Sequence, residues 1–337
     1  MLTFLAGVLV VGLVLAVVDR EIGFRRVLET LQRADPTAIV LVLGLGLIWV
    51  GVWGYTFHLV LGILGDRRRY RESLLLYSTL LLWNIIAPFS FGGGEPIAAY
   101  VIARATGQEY EPTLLAVIAT DGLNYSPAPV LAVVGLLLAA SMTAVGSTLR
   151  SVAVTTAGIV VAVVTIGVLG WRRRAQISGV FGRGARVLRE DPRWPPHRAL
   201  EPVAAAVERR VSLATVTLSR LTADPHVLRL GFATATLGWV LQSAMLWLSL
   251  TAVGAHVPVW APVVVVTVVA VTDVFPVPGG IGAVDAALVL VLVTLTSVQP
   301  VLAVSGTLVF RIATFGFPIL LGLVGLGLQS VYPLQHD

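Results

Sequence analysis

PFSFGGGEP at Pro88–Pro96 and PVPGGIGAVD at Pro276–Asp285 decide how this chain folds, because each sets glycines and prolines, closed by a carboxylate, inside an apolar run. Gly and Pro free backbone N–H and C=O groups that lipid cannot satisfy, so such stretches are buried in protein or line a watery cavity. One falls in each half of the chain. Paired broken segments at corresponding places are the sequence pattern of a transporter-type site near the membrane midplane.

The composition around them demands a membrane. Of 337 residues, 57% are hydrophobic and 12% charged, and the mean hydropathy is +0.90. Several runs exceed the roughly 20 residues needed to cross a ~30 Å hydrocarbon core. The expected fold is an all-α polytopic membrane protein in the cell membrane, built from two inverted repeats, each carrying a re-entrant helical hairpin. Met1–Val18 lacks a basic leader and a small-residue cleavage pattern, so it reads as a retained first helix. Cysteine is absent, which removes disulfide and thiolate chemistry. All 23 basic side chains are Arg, and the net charge of +5 resides mostly in loops, as positive-inside anchoring requires.

Spanning segments are expected near Leu2–Val18, Thr37–Leu64, Thr113–Ala140, Thr148–Gly170, Leu230–Val253 and Pro300–Gln329. Two less regular apolar regions, Ser73–Arg104 and Val259–Val298, each hold one Gly/Pro break and read as two short helices. Trp171–Arg229 carries twelve Arg against five acids and a Pro-rich centre. It reads as a cytoplasmic connector between an N-terminal half (1–170) and a C-terminal half (230–337). Arg67, Arg68, Arg69 and Arg71 precede the first break, and positive-inside counting puts them on the same side as the connector. Ser73–Arg104 must then return to the face it started from, as a hairpin with GGGEP near its tip, and Val259–Val298 enters from the opposite face. This topology places Asp19–Asp35 outside; with four Arg and four acids it also suits an amphipathic helix lying in the membrane plane.

Few ionisable residues remain within the apolar regions: Glu95, Asp121, Asp273, Asp285 and Arg311, with Asn84, Asn124 and His58 as polar company. A charge at a helix centre costs about 2.5 to 3.5 kcal/mol on insertion scales, so each needs a partner or water. The acids outnumber the arginine; protons, water, a ligand or a second arginine such as Arg104 must balance them. An ion pair of Arg311 with Asp285 or Glu95 that only fixes helix packing is the competing explanation. Gly44, Gly46, Gly135, Gly322, Gly325 and Gly327 are expected to serve close helix packing. Gly92, Gly93 and Gly94, and Gly279 and Gly280 with Gly282 beyond them, serve backbone geometry instead. A half-helix starting after such a break offers N–H groups to an anion such as phosphate. His58, beside Trp49, Trp53 and Tyr55, reads as a packed imidazole. Histidine spacing gives no metal site, and no nucleotide-binding loop or nucleophile elbow is present, so neither a cofactor nor catalysis is expected.

At these residues the chain resembles the lysylphosphatidylglycerol synthase transmembrane-domain family of flippase-like membrane proteins, related to the N-terminal half of bacterial multiple peptide resistance proteins. The carriers are Pro88, Gly93-Gly94-Glu95 and Tyr100, then Pro278-Gly279-Gly280-Ile281-Gly282 leading to Asp285, and Phe310-Arg311 with Pro318. The family pattern usually has Glu where Asp285 stands. It commonly places Arg where this chain has Ala98, and an acid–Arg pair near Thr120-Asp121, so headgroup recognition by those arginines does not carry over. The resemblance implies a two-repeat membrane fold whose cavity passes a lipid headgroup between leaflets, without the soluble aminoacyl-transfer domain.

Three functions follow as expectations. The first is a translocator of a phospholipid or polyprenyl-linked lipid with an anionic or phosphate-containing headgroup. Its site would comprise Gly92, Gly93, Gly94, Glu95, Asp121, Gly279, Gly280, Gly282, Asp285 and Arg311. The second is an ion-coupled secondary transporter of a small solute; the third is a non-transporting scaffold for a lipid or glycan enzyme. No feature points to nucleic acid, and oligomerisation is left open.

Overall fold

The computed structural model describes residues 23–66, 68–87, 94–142, 158, 165, 224–270 and 282–331. Every described element is helical: α1 (Phe24–Gln32), α2 (Pro36–Ile63), α3 (Tyr70–Ile86), α4 (Gly94–Thr106), α5 (Tyr110–Tyr125), α6 (Ala128–Met142), α7 (Pro225–Ala252), α8 (Trp260–Val269), α9 (Ala283–Thr296), α10 (Pro300–Arg311) and α11 (Phe317–Val331), with a π-helical turn at Ile312–Gly316 joining the last two. Among the described residues, four helical runs are long and apolar enough to cross a membrane: Pro36–Ile63, Tyr110–Leu138, Pro225–Ala252 and Pro300–Gln329. They match four of the expected spans. Leu2–Val18, Thr148–Gly170 apart from Gly158 and Thr165, Asp273, and the connector up to Ala223 lie outside the described residues. α7 starts ahead of the expected span Leu230–Val253, because Asp224 caps it through its Oδ1 and Pro225 occupies the first helical position.

Both Gly/Pro regions are two short helices flanking the break. α3 and α4 have 17 and 13 residues, and α8 and α9 have 10 and 14. At 1.5 Å per residue these are about 15 to 26 Å long, each shorter than the ~30 Å hydrocarbon core. α3 packs on α4, and α8 on α9. The region Thr113–Ala140, expected as one helix, is divided after Tyr125 because Pro127 has no N–H to donate and its ring clashes with the preceding turn. The amphipathic segment is α1, whose Val27 is buried while Phe24, Arg25 and Leu28 face outward.

The two halves repeat one order of elements. α2 and α7 each have 28 residues and each begin with an Asp cap followed by Pro. Each is followed by two short helices around a Gly/Pro break, then by a long apolar run broken in its middle, at Ser126-Pro127 in one half and at the π turn in the other. The equivalent helices α2 and α7 run antiparallel: Asp35 N–H donates to Ala252 O at 2.9 Å, Trp53 Nε1–H to Ala235 O at 3.3 Å, and Thr56 and Thr234 hydroxyls meet at 2.9 Å. The halves also exchange their last helices, since α11 packs on α3 and α6 packs on α8.

Small residues make these contacts close. A Cβ on Gly322 would lie 2.5 Å from Leu82 Cβ, one on Gly325 3.1 Å from Leu75 O, and one on Gly135 2.7 Å from a Val264 methyl. Gly46 meets Ala313 at 3.3 Å in the same sense. Gly44 and Gly327 have open space instead, so packing does not explain them. Gln329 closes the α11–α3 seam by donating to Thr79 Oγ1 at 2.8 Å.

Candidate functional site

A cavity of about 150 Å³ lies where the two halves meet. Its depth is set by α2 and α7, whose Trp49 and Trp239 are the 14th and 15th of 28 residues and both line it. The cavity therefore sits level with the middle of the two longest unbroken helices among the described residues.

Four elements bring the charged side chains here. Glu95 stands in the first turn of α4, which starts immediately after the first break, and Asp121 three-quarters of the way along α5. Both are buried, at 4% and 7% exposure. Asn84 Nδ2 donates to Asp121 Oδ2 at 3.2 Å, and Tyr77 faces Asp121 and Asn124. Gly94 allows the approach: a Cβ there would sit 2.5 Å from the Asn84 backbone, so only glycine lets α4 begin against the end of α3.

The second break ends differently. Gly282 caps α9 at φ +84°, a conformation glycine adopts freely, and its N–H donates to Asp285 Oδ2 at 2.9 Å. Asp285 Oδ1 lies 2.8 Å from Arg311 Nε, an ionic contact without hydrogen-bond alignment. Arg311 ends α10; the π turn after it brings Phe315 under the guanidinium, 4.8 Å from Cζ, and sets Thr314 and Phe315 on the cavity wall. Insertions of this kind concentrate at functional sites.

Both helices that follow a break thus carry an acid in their first turn, where the helix dipole is positive. At the second break the chain's own Asp285 carboxylate takes the N–H of Gly282. Of the expected site residues, the fold brings together Glu95, Asp121 and Arg311 on the cavity wall, with Asp285 on Arg311, Gly94 behind Glu95 and Gly282 behind Asp285. Gly92, Gly93, Gly279 and Gly280 lie outside the described residues. Arg104 is exposed in the last turn of α4 and does not line the cavity. His58 is packed as expected, its Nδ1 3.0 Å from Ser73 Oγ, between Tyr55 and Tyr70.

Sequence reading missed the aromatic wall. Trp53 stacks at 5.1 Å from Trp49 and 5.6 Å from Trp239, and Tyr125 closes the group at 5.6 Å from Trp239. Trp239 Nε1–H donates to Asn124 O at 2.7 Å. A usable signal existed: membrane tryptophans favour the interfaces, and these stand at mid-helix.

Comparison with known proteins follows the same lines. Residues 4–322 match the family described as the lysylphosphatidylglycerol synthase TM region. Two UPF0104 membrane proteins of Methanothermobacter thermautotrophicus are similar along nearly their whole length. One is 27% identical over 325 residues, covering 92% of this chain and 91% of the relative. The other is 20% identical over 336 residues, covering 96% and 92%. The chain belongs to the lysylphosphatidylglycerol synthase TM region family and is an integral membrane protein.

Proposed function

We propose that this member of the family is a lipid translocator of the cell membrane, passing a phosphate-bearing headgroup between leaflets through the central cavity, without catalysis. The observation that carries the reading is the convergence of Glu95, Asp121 and Arg311 from both halves on one cavity at mid-span, walled by Trp49, Trp53 and Trp239. Isolated charges at that depth are costly, and a packing role for Arg311 needs one acid rather than three. Arg311 is the natural phosphate partner, and the aromatic wall suits an uncharged or cationic headgroup portion. In this reading the two series of helices are inverted repeats and the broken pairs α3–α4 and α8–α9 are re-entrant hairpins. Exchange of the two halves' conformations would then open the cavity to alternate faces.

The test is movement of fluorescent NBD-phosphatidylglycerol in proteoliposomes, followed by dithionite quenching of the outer leaflet. Wild-type protein is expected to expose the inner-leaflet pool, and Glu95→Gln to slow that at least tenfold while remaining folded. Equal rates in protein-free vesicles and proteoliposomes, for this lipid and for a polyprenyl phosphate probe, would sink the reading.

The volume of the cavity favours a second reading. At ~30 Å³ per water, about 150 Å³ holds some five waters, which suits a small solute as well as part of a headgroup. Solute uptake driven by an ion gradient, with no lipid movement, is the outcome that selects it.

A further inference from the structure

A second cavity lies at the N-terminal end of α2, far from the first. It is a groove of about 550 Å³ between α1, the C-terminal end of α7 and the N-terminal end of α10, and α1 packs on α10 beside it. Asp35, which lines the groove, precedes Trp49 of the central cavity by 14 residues (49 − 35). At 1.5 Å per residue that is about 21 Å along α2. The two cavities share no lining residue.

We propose that this groove binds the phosphate of an anionic phospholipid, such as phosphatidylglycerol, at the membrane surface. The site is separate from the central cavity and does not depend on the translocator reading.

α1 sets both the depth and the charge of the groove. Its sequence sorts residues onto three faces at helical spacing. Val27 and Leu31 turn into the bundle. Phe24 and Leu28 stay 61% and 48% exposed. Arg26, Glu29, Thr30 and, just past the last turn, Arg33 line the groove. A short helix joined to the end of a spanning helix, with bare apolar side chains beside arginines, lies at the boundary of headgroups and acyl chains. The groove therefore opens at headgroup level, and Val253, Val301 and Leu302 give it an apolar side for the glycerol and upper chains.

The hydrogen bonds already made in the lining select an anion. Its acceptors are engaged. Glu29 takes Arg25 Nε–H at 3.0 Å, and Asp35 Oδ1 takes the N–H of Thr37 at 2.9 Å as the cap of α2. At the end of α7, Thr251 O accepts from Gly254 N–H and Ala252 O from Asp35 N–H, each at 2.9 Å. Its donors are not engaged. Neither the Arg26 nor the Arg33 guanidinium meets an acid or a carbonyl among the described residues. α10 begins without a side-chain cap and without an acid in its first turn; the N–H groups of Leu302 and Ala303 go to Gln299 O, while that of Val301 has no backbone acceptor among the described residues. A cation entering here would compete for acceptors in use. A phosphate meets two guanidinium groups and an uncapped, positive helix start. The volume falls within the ~300–1,000 Å³ of small-ligand sites.

Native mass spectrometry of the full chain, given equal amounts of phosphatidylglycerol and phosphatidylcholine with matched acyl chains, tests the site. Wild type is expected to prefer phosphatidylglycerol by at least about fivefold, the scale of one arginine near an anionic surface. Arg26→Gln with Arg33→Gln should retain one phosphatidylglycerol fewer per chain, both alone and on top of Glu95→Gln. Arg104→Gln with Arg229→Gln, two exposed arginines outside the groove, should retain the wild-type number. Equal retention of the two lipids by wild type overturns the proposal, as does an equal loss in the control pair. Loss confined to Glu95→Gln assigns the lipid to the central cavity and overturns the groove site. Thermal stabilisation by excess inorganic phosphate as large as that by phosphatidylglycerol makes this a site for the free anion and overturns the lipid. Wild type alone gives a second measurement that needs no variant to fold: amide hydrogen exchange across residues 24–32 should be at least threefold slower in phosphatidylglycerol nanodiscs than in phosphatidylcholine ones. Equal exchange in the two overturns the proposal.

Discussion

At the scale of single residues, the pair Asp285 and Arg311 separates a packing role from a binding role. The side chains are 29% and 18% exposed, and Asp285 also holds the N–H of Gly282. Removing one partner strands the other charge, which costs about 3 to 5 kcal/mol in fully buried pairs and less here. Arg311→Gln and Asp285→Asn are each expected to lower thermal stability, and the double variant to lose at least ~1 kcal/mol less than the sum. A double-mutant cycle by thermal unfolding in detergent checks this; additive losses would mean that the two charges do not stabilise each other. The acids and the arginine were legible in the sequence because charges inside apolar runs stand out. Their pairing was not, since Arg311 was left between Asp285 and Glu95.

At the scale of elements, α11 lies on α3 through Gly322 and Gly325, with backbone carbonyls of Ser78 and Leu75 directly opposite. A Cβ at Gly322 would stand 2.7 Å from Ser78 O, and backbone cannot swing aside as a side chain does. Gly322→Val is therefore expected to cost about 1 to 3 kcal/mol by overpacking, seen as a lower unfolding temperature, whereas Gly327→Ala, in open space, leaves it unchanged. Equal stability of the two variants would show that this seam is not close-packed. Glycine spacing announced small-residue packing but not which glycine meets which helix. Gly44 and Gly327 belong to the same pattern, yet a Cβ on either would meet open space, because the face a membrane helix turns to its neighbour depends on the neighbour.

At the scale of the whole molecule, the antiparallel α2 and α7 form the axis around which the halves exchange α6 and α11. Since the chain has no cysteine, Thr56→Cys with Thr234→Cys is a clean pair. Their hydroxyls meet at 2.9 Å, so oxidation should cross-link most of the protein within the chain, whereas Thr37→Cys with Thr234→Cys should not. Cross-linking of the second pair instead would reverse the relative direction of the helices. By itself the sequence determined the membrane class, the four described spans and the division into short helices at both breaks. Those follow from hydropathy over ~20 residues and from what Gly and Pro do locally to a backbone. Only the tertiary structure decided that α11 covers α3 and α6 covers α8, that Trp49, Trp53 and Trp239 wall the cavity, and that Asp285 meets Arg311. These are contacts between residues tens to hundreds of positions apart. Lipid gives every apolar face nearly the same environment, so which faces meet is settled by shape and hydrogen bonding between helices, not by a pattern along any one of them.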